Sequence, residues 1–488
     1  MQIEKFKIGI WPLALILTSS AALLSGCTVG PDYKSPLIDL PSRWSGSVNS
    51  KSIKPIKLAR WWGQFNDATL DSLIEHAVVE NLDVTTAKAK LREARANAVE
   101  TGASIAPSVS NSGSVTVGKS SGDDQVNTQF QLGFDASWEL DLFGGNHRSV
   151  EAAIAGTQAA EEDLKSTLVT LVGDVATYYI DARGYQARIA LARRTSTSLH
   201  STAVLTKISF NSGSATAADV AKAEALATGT EANIPSFEAA LAIDYHRLSI
   251  LLDKPPEALQ SFFQNPKAIP SPKLPLPSGI PADMLRNRPD IRAAERRLAQ
   301  ATATIGLSQA AQYPSLSLNG SISTSALSLG SFASSTAIGW SLGPSLTIPI
   351  FNGGKLQAAV QITQAQRDQT YIKLRATTLT ALEDVENALV SLSSERKKND
   401  LLASSSHNYR EALRTASALY KNGSSSFLDV LDSERSLYSS DDSLLQSRIA
   451  FSKDYVALAK ALGGGWDGVV DSSQAEVTDI DTGPRVRH

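Results

Sequence analysis

The chain holds one thiol, Cys27. A lone cysteine forms neither an intramolecular disulfide nor a cysteine metal cluster. The six histidines, at positions 76, 147, 200, 246, 407 and 488, are scattered without zinc-ligand spacing and read as solvated helix residues. No Gly-rich phosphate loop follows a strand, and no G-x-S-x-G elbow occurs. Catalytic residues, a metal site and a cofactor are therefore not expected, and the sequence argues against an enzyme. What remains is the chemistry of fixed charge. Asp429 and Asp432 lie at i and i+3, on one face of a helix that follows the turn Tyr420-Lys421-Asn422-Gly423. Asp219 follows Gly213 in a similar way. Carboxylates so close repel one another and attract cations. Their ordinary alternative is to stabilise a helix N-terminus through its dipole.

A formal net charge of −3, with no long basic block, leaves no footprint for a nucleic-acid partner. Charged residues make up 19% of the chain, below the usual value of about a quarter, which suits close-packed helices of small residues. The N-terminus accounts for the thiol. Lys5 and Lys7 precede an apolar run from Ile8 through Leu24, interrupted by Pro12, and the run ends in Leu24-Ser25-Gly26-Cys27. A short apolar run before small residues reads as a signal peptide over 1–26, not as a transmembrane helix. The tetrapeptide resembles the bacterial lipobox. That resemblance implies cleavage before Cys27, a thioether-linked diacylglycerol on its sulfur and an acyl group on its new amine. Several acyl chains anchor stably, since each buried methylene contributes about 0.8 kcal/mol. In lipoproteins of this kind an Asp after the cysteine would imply retention in the inner membrane. Thr28 stands there instead, and favours the outer one.

The elements that must position these residues come in two copies. Ala106-Pro107-Ser108-Val109 recurs as Tyr313-Pro314-Ser315-Leu316, shifted by 207 (314 − 107). Gly144-Gly145 recurs as Gly353-Gly354, shifted by 209 (353 − 144). Asn211-Ser212-Gly213 with Asp219-Val220 recurs as Lys421-Asn422-Gly423 with Asp429-Val430, shifted by 210 (423 − 213). Three matches in order indicate a structural repeat. The reading is an N-terminal extension over 27–59, repeats over 60–250 and 282–462, a Pro-rich connector over 251–281 and a polar tail over 463–488. Each repeat runs helix, strand pair, very long helix, turn, helix. In 146–207, Leu164, Leu168, Leu171, Val175, Tyr178, Ala182, Tyr185, Ile189 and Ala192 recur in steps of three and four, a coiled-coil signature. As one helix that segment spans about 93 Å at about 1.5 Å per residue. Leu374, Thr378, Ala381, Val385, Ala388 and Leu392 repeat the pattern within 355–420.

Strands are expected near 108–118, 128–140, 315–324 and 337–350. Phe130, Leu132, Phe134, Ala136 and Trp138 alternate with polar or small residues, as do Ile338, Trp340, Leu342, Pro344, Leu346 and Ile348. An apolar face with aromatics near its ends, backed by a polar face, reads as a membrane barrel strand. Two soluble hairpins with one buried face each are the alternative. Four strands cannot close a barrel, and an open edge in lipid leaves backbone groups unpaired at several kcal/mol each. The strands must then be shared among chains. Two chains supply about eight, whose interior side chains fill, whereas three supply twelve and leave a lumen.

Cys27-Thr28-Val29-Gly30-Pro31-Asp32-Tyr33 is similar to the start of mature lipoproteins of the outer-membrane efflux family, the TolC-like factors. So are Trp61-Trp62 with Phe65, Asp67 and Leu70, then Asn81-Leu82-Asp83, and Asn287-Arg288-Pro289-Asp290-Ile291 with Ala294-Glu295. The resemblance runs from Cys27 to about Gly463. It implies an α+β membrane protein: a trimeric twelve-strand transmembrane β-barrel, four strands per chain, continued by a long α-helical barrel with a mixed equatorial region. It also implies a location in the outer membrane reaching into the periplasm, a periplasmic adaptor and an inner-membrane RND-type transporter as partners, and passive conduction of drugs or other small molecules. In this family the acids matching Asp429 and Asp432 line the periplasmic constriction, and the residue matching Tyr420 bonds across helices to hold it shut. Asp219 is the first repeat's candidate for the same constriction. Gly213 and Gly423 then mark the helix tips. Better-studied members carry an Arg in that network where this chain has Ser425, and Lys421 or Lys222 could take its place. A polypeptide secretion duct of type I kind and a structural coiled-coil lipoprotein are the competing functions. The lipobox and the Gly-Pro-Asp-Tyr start favour efflux, and the amphipathic strands disfavour a purely structural role.

Overall fold

The computed structural model describes residues 28–36, 58–119, 126–273, 282–332, 334 and 337–466. Cys27, the signal peptide 1–26, much of the N-terminal extension, the end of the Pro-rich connector and the tail from 467 lie outside the described residues. The chain forms two compact units, and each draws on both repeats. Among the described residues, one gathers those of 28–36, 91–161 and 293–375; the other gathers those of 58–90, 162–292 and 376–466.

The first unit carries a four-stranded antiparallel sheet. Its strands are β1 Ser108–Lys119, β2 Val126–Leu140, β3 Ser315–Ala326 and β4 Ile338–Thr347, in the order β1-β2-β3-β4. β4 stops at Thr347, short of the expected 350, where its partner β3 begins at Ser315 just after Pro314. The register aligns Asn111, Phe134, Ile322 and Trp340 in one row and Val109, Ala136, Gly320 and Leu342 in another. Small residues make room for large neighbours: a Cβ on Gly320 would stand 3.2 Å from Leu342 Cδ1, and one on Gly113 3.3 Å from Leu132 Cδ1.

Helices dominate the rest. Asp67 caps α1 (Ala68–Glu80), accepting from the Thr69 and Leu70 amides at 2.9 and 3.3 Å. Asn81 then starts α2 (Leu82–Ala103): its Oδ1 accepts from Asp83 and Val84, and its Nδ2 donates to the Leu251 carbonyl at 3.0 Å. α3 is Gly145–Asn211. The fourth and fifth helices, α4 (Ala217–Glu231) and α5 (Asn233–Leu251), are separated at Ala232. Pro235 explains the break, since it offers no amide to the Glu231 carbonyl and its ring crowds that oxygen. After α6 (Pro289–Ala310) and the second strand pair come α7 (Lys355–Lys421) and α8 (Phe427–Ala461). No proline falls within α8, and it runs unbroken.

In the second unit the middle of α3 is buried on more than one stripe. Leu168, Leu171, Val175, Ala182 and Ala192 are buried, but so are Val172, Ala176, Tyr179, Ile180 and Arg183. Tyr178 and Tyr185 of the heptad series are only half-buried. Two sets of neighbours are the reason. On one side Asp174, Asp181 and Arg188 pair with Lys460, Lys453 and Asp442 of α8 at 3.3, 2.7 and 2.7 Å. On the other Tyr179 donates to Asp67 at 2.8 Å, and Arg183 lies in a cage of Tyr179, Phe262 and Phe263.

Candidate functional site

The sheet separates its side chains by chemistry. On one face stand Val109, Phe134, Trp138, Ile322, Trp340, Leu342 and Leu346, all exposed, with Trp340 at 77%. Exposed apolar surface of that extent calls for a partner or a lipid solvent. The other face is polar, and its side chains are tied laterally. Ser137 donates to Asn319 at 3.0 Å, Gln129 to Ser325 at 2.9 Å, and Ser321 and Ser341 share a bond of 2.8 Å. The strands are 12, 15, 12 and 10 residues long. That meets the roughly 9–11 residues a tilted strand needs to cross a bilayer. The outer edges of β1 and β4 pair with no further strand among the described residues.

The two helix tips, in the second unit, are built alike. Gly213 and Gly423 have φ of +78° and +75°, which side chains rarely adopt. Ser214 donates to the Ser209 carbonyl and Gly213 to Phe210; Ser424 donates to Leu419 and Gly423 to Tyr420. Each is a Schellman stop. A capping box restarts the chain three residues later. Thr216 and Asp219 exchange bonds at α4, and Ser426 and Asp429 do so at α8. Ser425 donates to Asp429 Oδ2 at 2.7 Å. That bond, with those from Ser426, holds the Asp429 carboxyl below the usual carboxylate range. The Thr216 backbone and side-chain bonds, with the charge of Lys222, do the same for Asp219. Asp432 pairs with Arg435 at 3.1 Å, and the Tyr420 ring packs on Phe427 at 5.4 Å. The tips meet through Ala203, Ala223 and Leu431, flanked by Leu226 and Phe427. Asp429 and Asp432 are left exposed.

The chain matches known proteins along nearly its whole length. A family model described as outer membrane efflux protein matches residues 73–253 and 280–464. The chain belongs to the outer membrane efflux protein family. It is 38% identical to a nodulation protein T of Rhizobium leguminosarum bv. trifolii, over 92% of this chain and 96% of that one. It is 31% identical to the cation efflux system protein CusC of Escherichia coli strain K12, over 93% of this chain and 100% of the other. The structure of the outer-membrane channel OprN superposes with a TM-score of 0.84 at 33% identity, covering 90% of this chain and 100% of that one. The likeness shows an outer-membrane efflux channel protein, whose polar sheet face and helix tips are its candidate working surfaces.

A third site was missed in the local sequence pattern. In the first unit of this family member, the segment after Cys27 docks at the foot of the sheet. The Val29 amide donates to the Phe143 carbonyl at 3.0 Å. Arg148, buried at 4% exposure, donates to the Val29 and Gly30 carbonyls and to Asp32 at 3.2, 3.3 and 2.7 Å. Tyr33 and Ser35 both donate to Glu295 Oε1, at 3.0 and 2.7 Å. Burial, then the neighbouring Glu295 charge, pushes the Tyr33 hydroxyl up to about 12. Gly30, at φ +97°, lies on Gly306, where a Cβ would come within 2.4 Å of the Gly306 Cα. The Gly-Pro-Asp-Tyr start is thus a docking segment. Its partners Arg148, Glu295 and Gly306 are over a hundred residues away, so no local period marks them.

Proposed function

We propose that three copies of this chain close their sheets into one twelve-stranded barrel in the outer membrane and their long helices into a tunnel. The assembly is the passive outer-membrane channel of a tripartite efflux pump. It receives drugs or other small molecules from a periplasmic adaptor and an inner-membrane transporter and releases them outside. The observation that carries the reading is the sheet itself: four strands, two open edges, one exposed apolar face and one hydroxyl-rich face. In lipid the open edges leave unpaired backbone groups unless neighbouring copies close them. Serine and glycine on the other face leave an open lumen. Cys27 carries diacylglycerol and an N-acyl chain in this reading. The docking of Thr28–Ser35 beside the stacked rings of Phe143 and Tyr313, 4.6 Å apart, supports it, because aromatic residues gather at membrane interfaces. Light scattering in detergent, with the detergent subtracted, tests the assembly and should give three protomers per particle. A conducting monomer would refute it. Palmitate labelling tests the anchor: it should vanish in Cys27→Ser, and persistent labelling would show that the lipid is elsewhere.

A further inference from the structure

We propose that Asp135 sets the charge selectivity of the sheet's polar wall, so that this part of the duct passes neutral and cationic solutes in preference to anions. The proposal deepens the closed-barrel reading above and rests on it. The register fixes which residues share the polar face. All of them but Asp135 and Glu139 are Ser, Thr, Gly, Asn or Gln. No Lys, Arg or His on any of the four strands shares that face, and no aromatic ring does.

Asp135 lies in one row with Ser110, Ser321 and Ser341. Its neighbours in that row are short, so the carboxylate stands clear of the wall. The hydroxyls and amides around it are committed laterally: Ser321 to Ser341, and Ser137 to Asn319. The side-chain contact of Asp135 itself is a long one from Ser112 Oγ at 3.4 Å. Its charge therefore has no counter-ion in the wall. Glu139 lies four residues along the same strand and face, roughly 13 Å nearer the foot at about 3.3 Å per residue. It adds charge of the same sign. In a closed trimer three Asp135 carboxylates share one level of a narrow water-filled lumen with lipid behind it. Such a geometry focuses the field and concentrates counter-ions. An anion finds no opposite charge there, whereas a cation finds three.

The test uses the scarcity of thiols. Cys27 is the only native cysteine and is acylated in this reading, so Ser321→Cys places one free thiol at the level of Asp135. Full-length protein in outer membranes is treated from outside with a cationic and an anionic methanethiosulfonate of similar size. Relative to the same two reagents acting on a small thiol in solution, the cationic one should be favoured by about a further tenfold, at the low end of what one-signed clefts do. Adding Asp135→Asn should collapse most of that ratio, and Glu139→Gln should collapse less. An unchanged ratio in Asp135→Asn overturns the proposal. Phe134→Cys, on the apolar face, should be protected by lipid. If it reacts as fast as Ser321→Cys, the closed barrel itself is wrong, and the proposal falls with it.

Discussion

The carboxylates of Asp219 and Asp429 each accept bonds from the residue that begins their helix, and this is a complete local role. It does not compete with a role in conduction, because Asp429 and Asp432 remain exposed beside it. In the proposed trimer they would form two rings of carboxylates at the helix tips, the Asp432 ring partly offset by Arg435, and such rings attract cations. Asp429→Ala with Asp432→Ala should therefore weaken cation selectivity and block by trivalent cations in planar bilayers. An unchanged reversal potential would leave both as helix-end acids. Tyr420→Phe deletes only a hydroxyl, and a raised resting conductance would identify that group as a latch. Asp244 of α5 is a different kind of acid. It is 7% exposed, and its Oδ2 has no partner. Burial first, then the charge of Asp181, pushes its carboxyl up to about 7 against the pull of Lys453. A folded pKa above the unfolded value means that stability is fully present below the unfolded pKa, about 4, and is lost as pH rises through 7. Thermal stability should then fall from about pH 4 to about pH 7 and level off above that. Asp244→Asn should flatten that fall, and a parallel profile in the mutant would exclude Asp244 as its source.

Elements differ in how plainly the sequence wrote them. β2 and β4 were legible because their apolar face holds aromatic and branched residues against small polar ones, a period of two with high contrast. β1 was weaker because Asn111 and Gly113 fall on its apolar face, where the register sets them beside Phe134 and Leu132 of β2. The long helices were legible from missing prolines and a heptad stripe. That stripe misplaced the buried tyrosine, giving Tyr178 for Tyr179, because a helix with neighbours on two sides does not bury a single seam. The tip turns were readable, since Gly followed by Thr-x-x-Asp or Ser-x-x-Asp is a stop and a start. The docking of Gly30 and the approach of α3 to α8 were not, because each depends on residues far apart in sequence. That approach is close at Gly184, where a Cβ would lie 2.3 Å from Ile449 Cδ1. Isoleucine is stiff at χ1 and yields poorly. Gly184→Ala should therefore destabilise by about 1–3 kcal/mol, the usual cost of overpacking. Ile449→Val removes the clashing methyl and should restore part of the loss in the double mutant. A melting temperature unmoved by Gly184→Ala would show that the helices shift apart at little cost.

At the scale of the whole molecule, the membrane reading makes neighbouring residues behave in opposite ways. Ser341 and Leu342 are adjacent on β4, so their side chains point to opposite faces. Ser341 bonds Ser321 on the polar face, while Leu342 is 68% exposed on the apolar one. Leu342→Arg puts a guanidinium into hydrocarbon, at about 2–4 kcal/mol per copy near the midplane. In a trimer that cost is incurred three times with no partner to relieve it. Ser341→Arg puts the same group into water and adds three positive charges to a wall that otherwise carries only acids. Leu342→Arg should fail to appear as heat-stable trimer in the outer membrane. Ser341→Arg should assemble at near wild-type yield, conduct less and shift its reversal potential towards anions. A sheet that merely buried one face against protein would give a different result: Leu342→Arg would be soluble and folded, and neither variant would change ion flow. Fractionation, an unheated gel and a single-channel record on the same pair decide between the two.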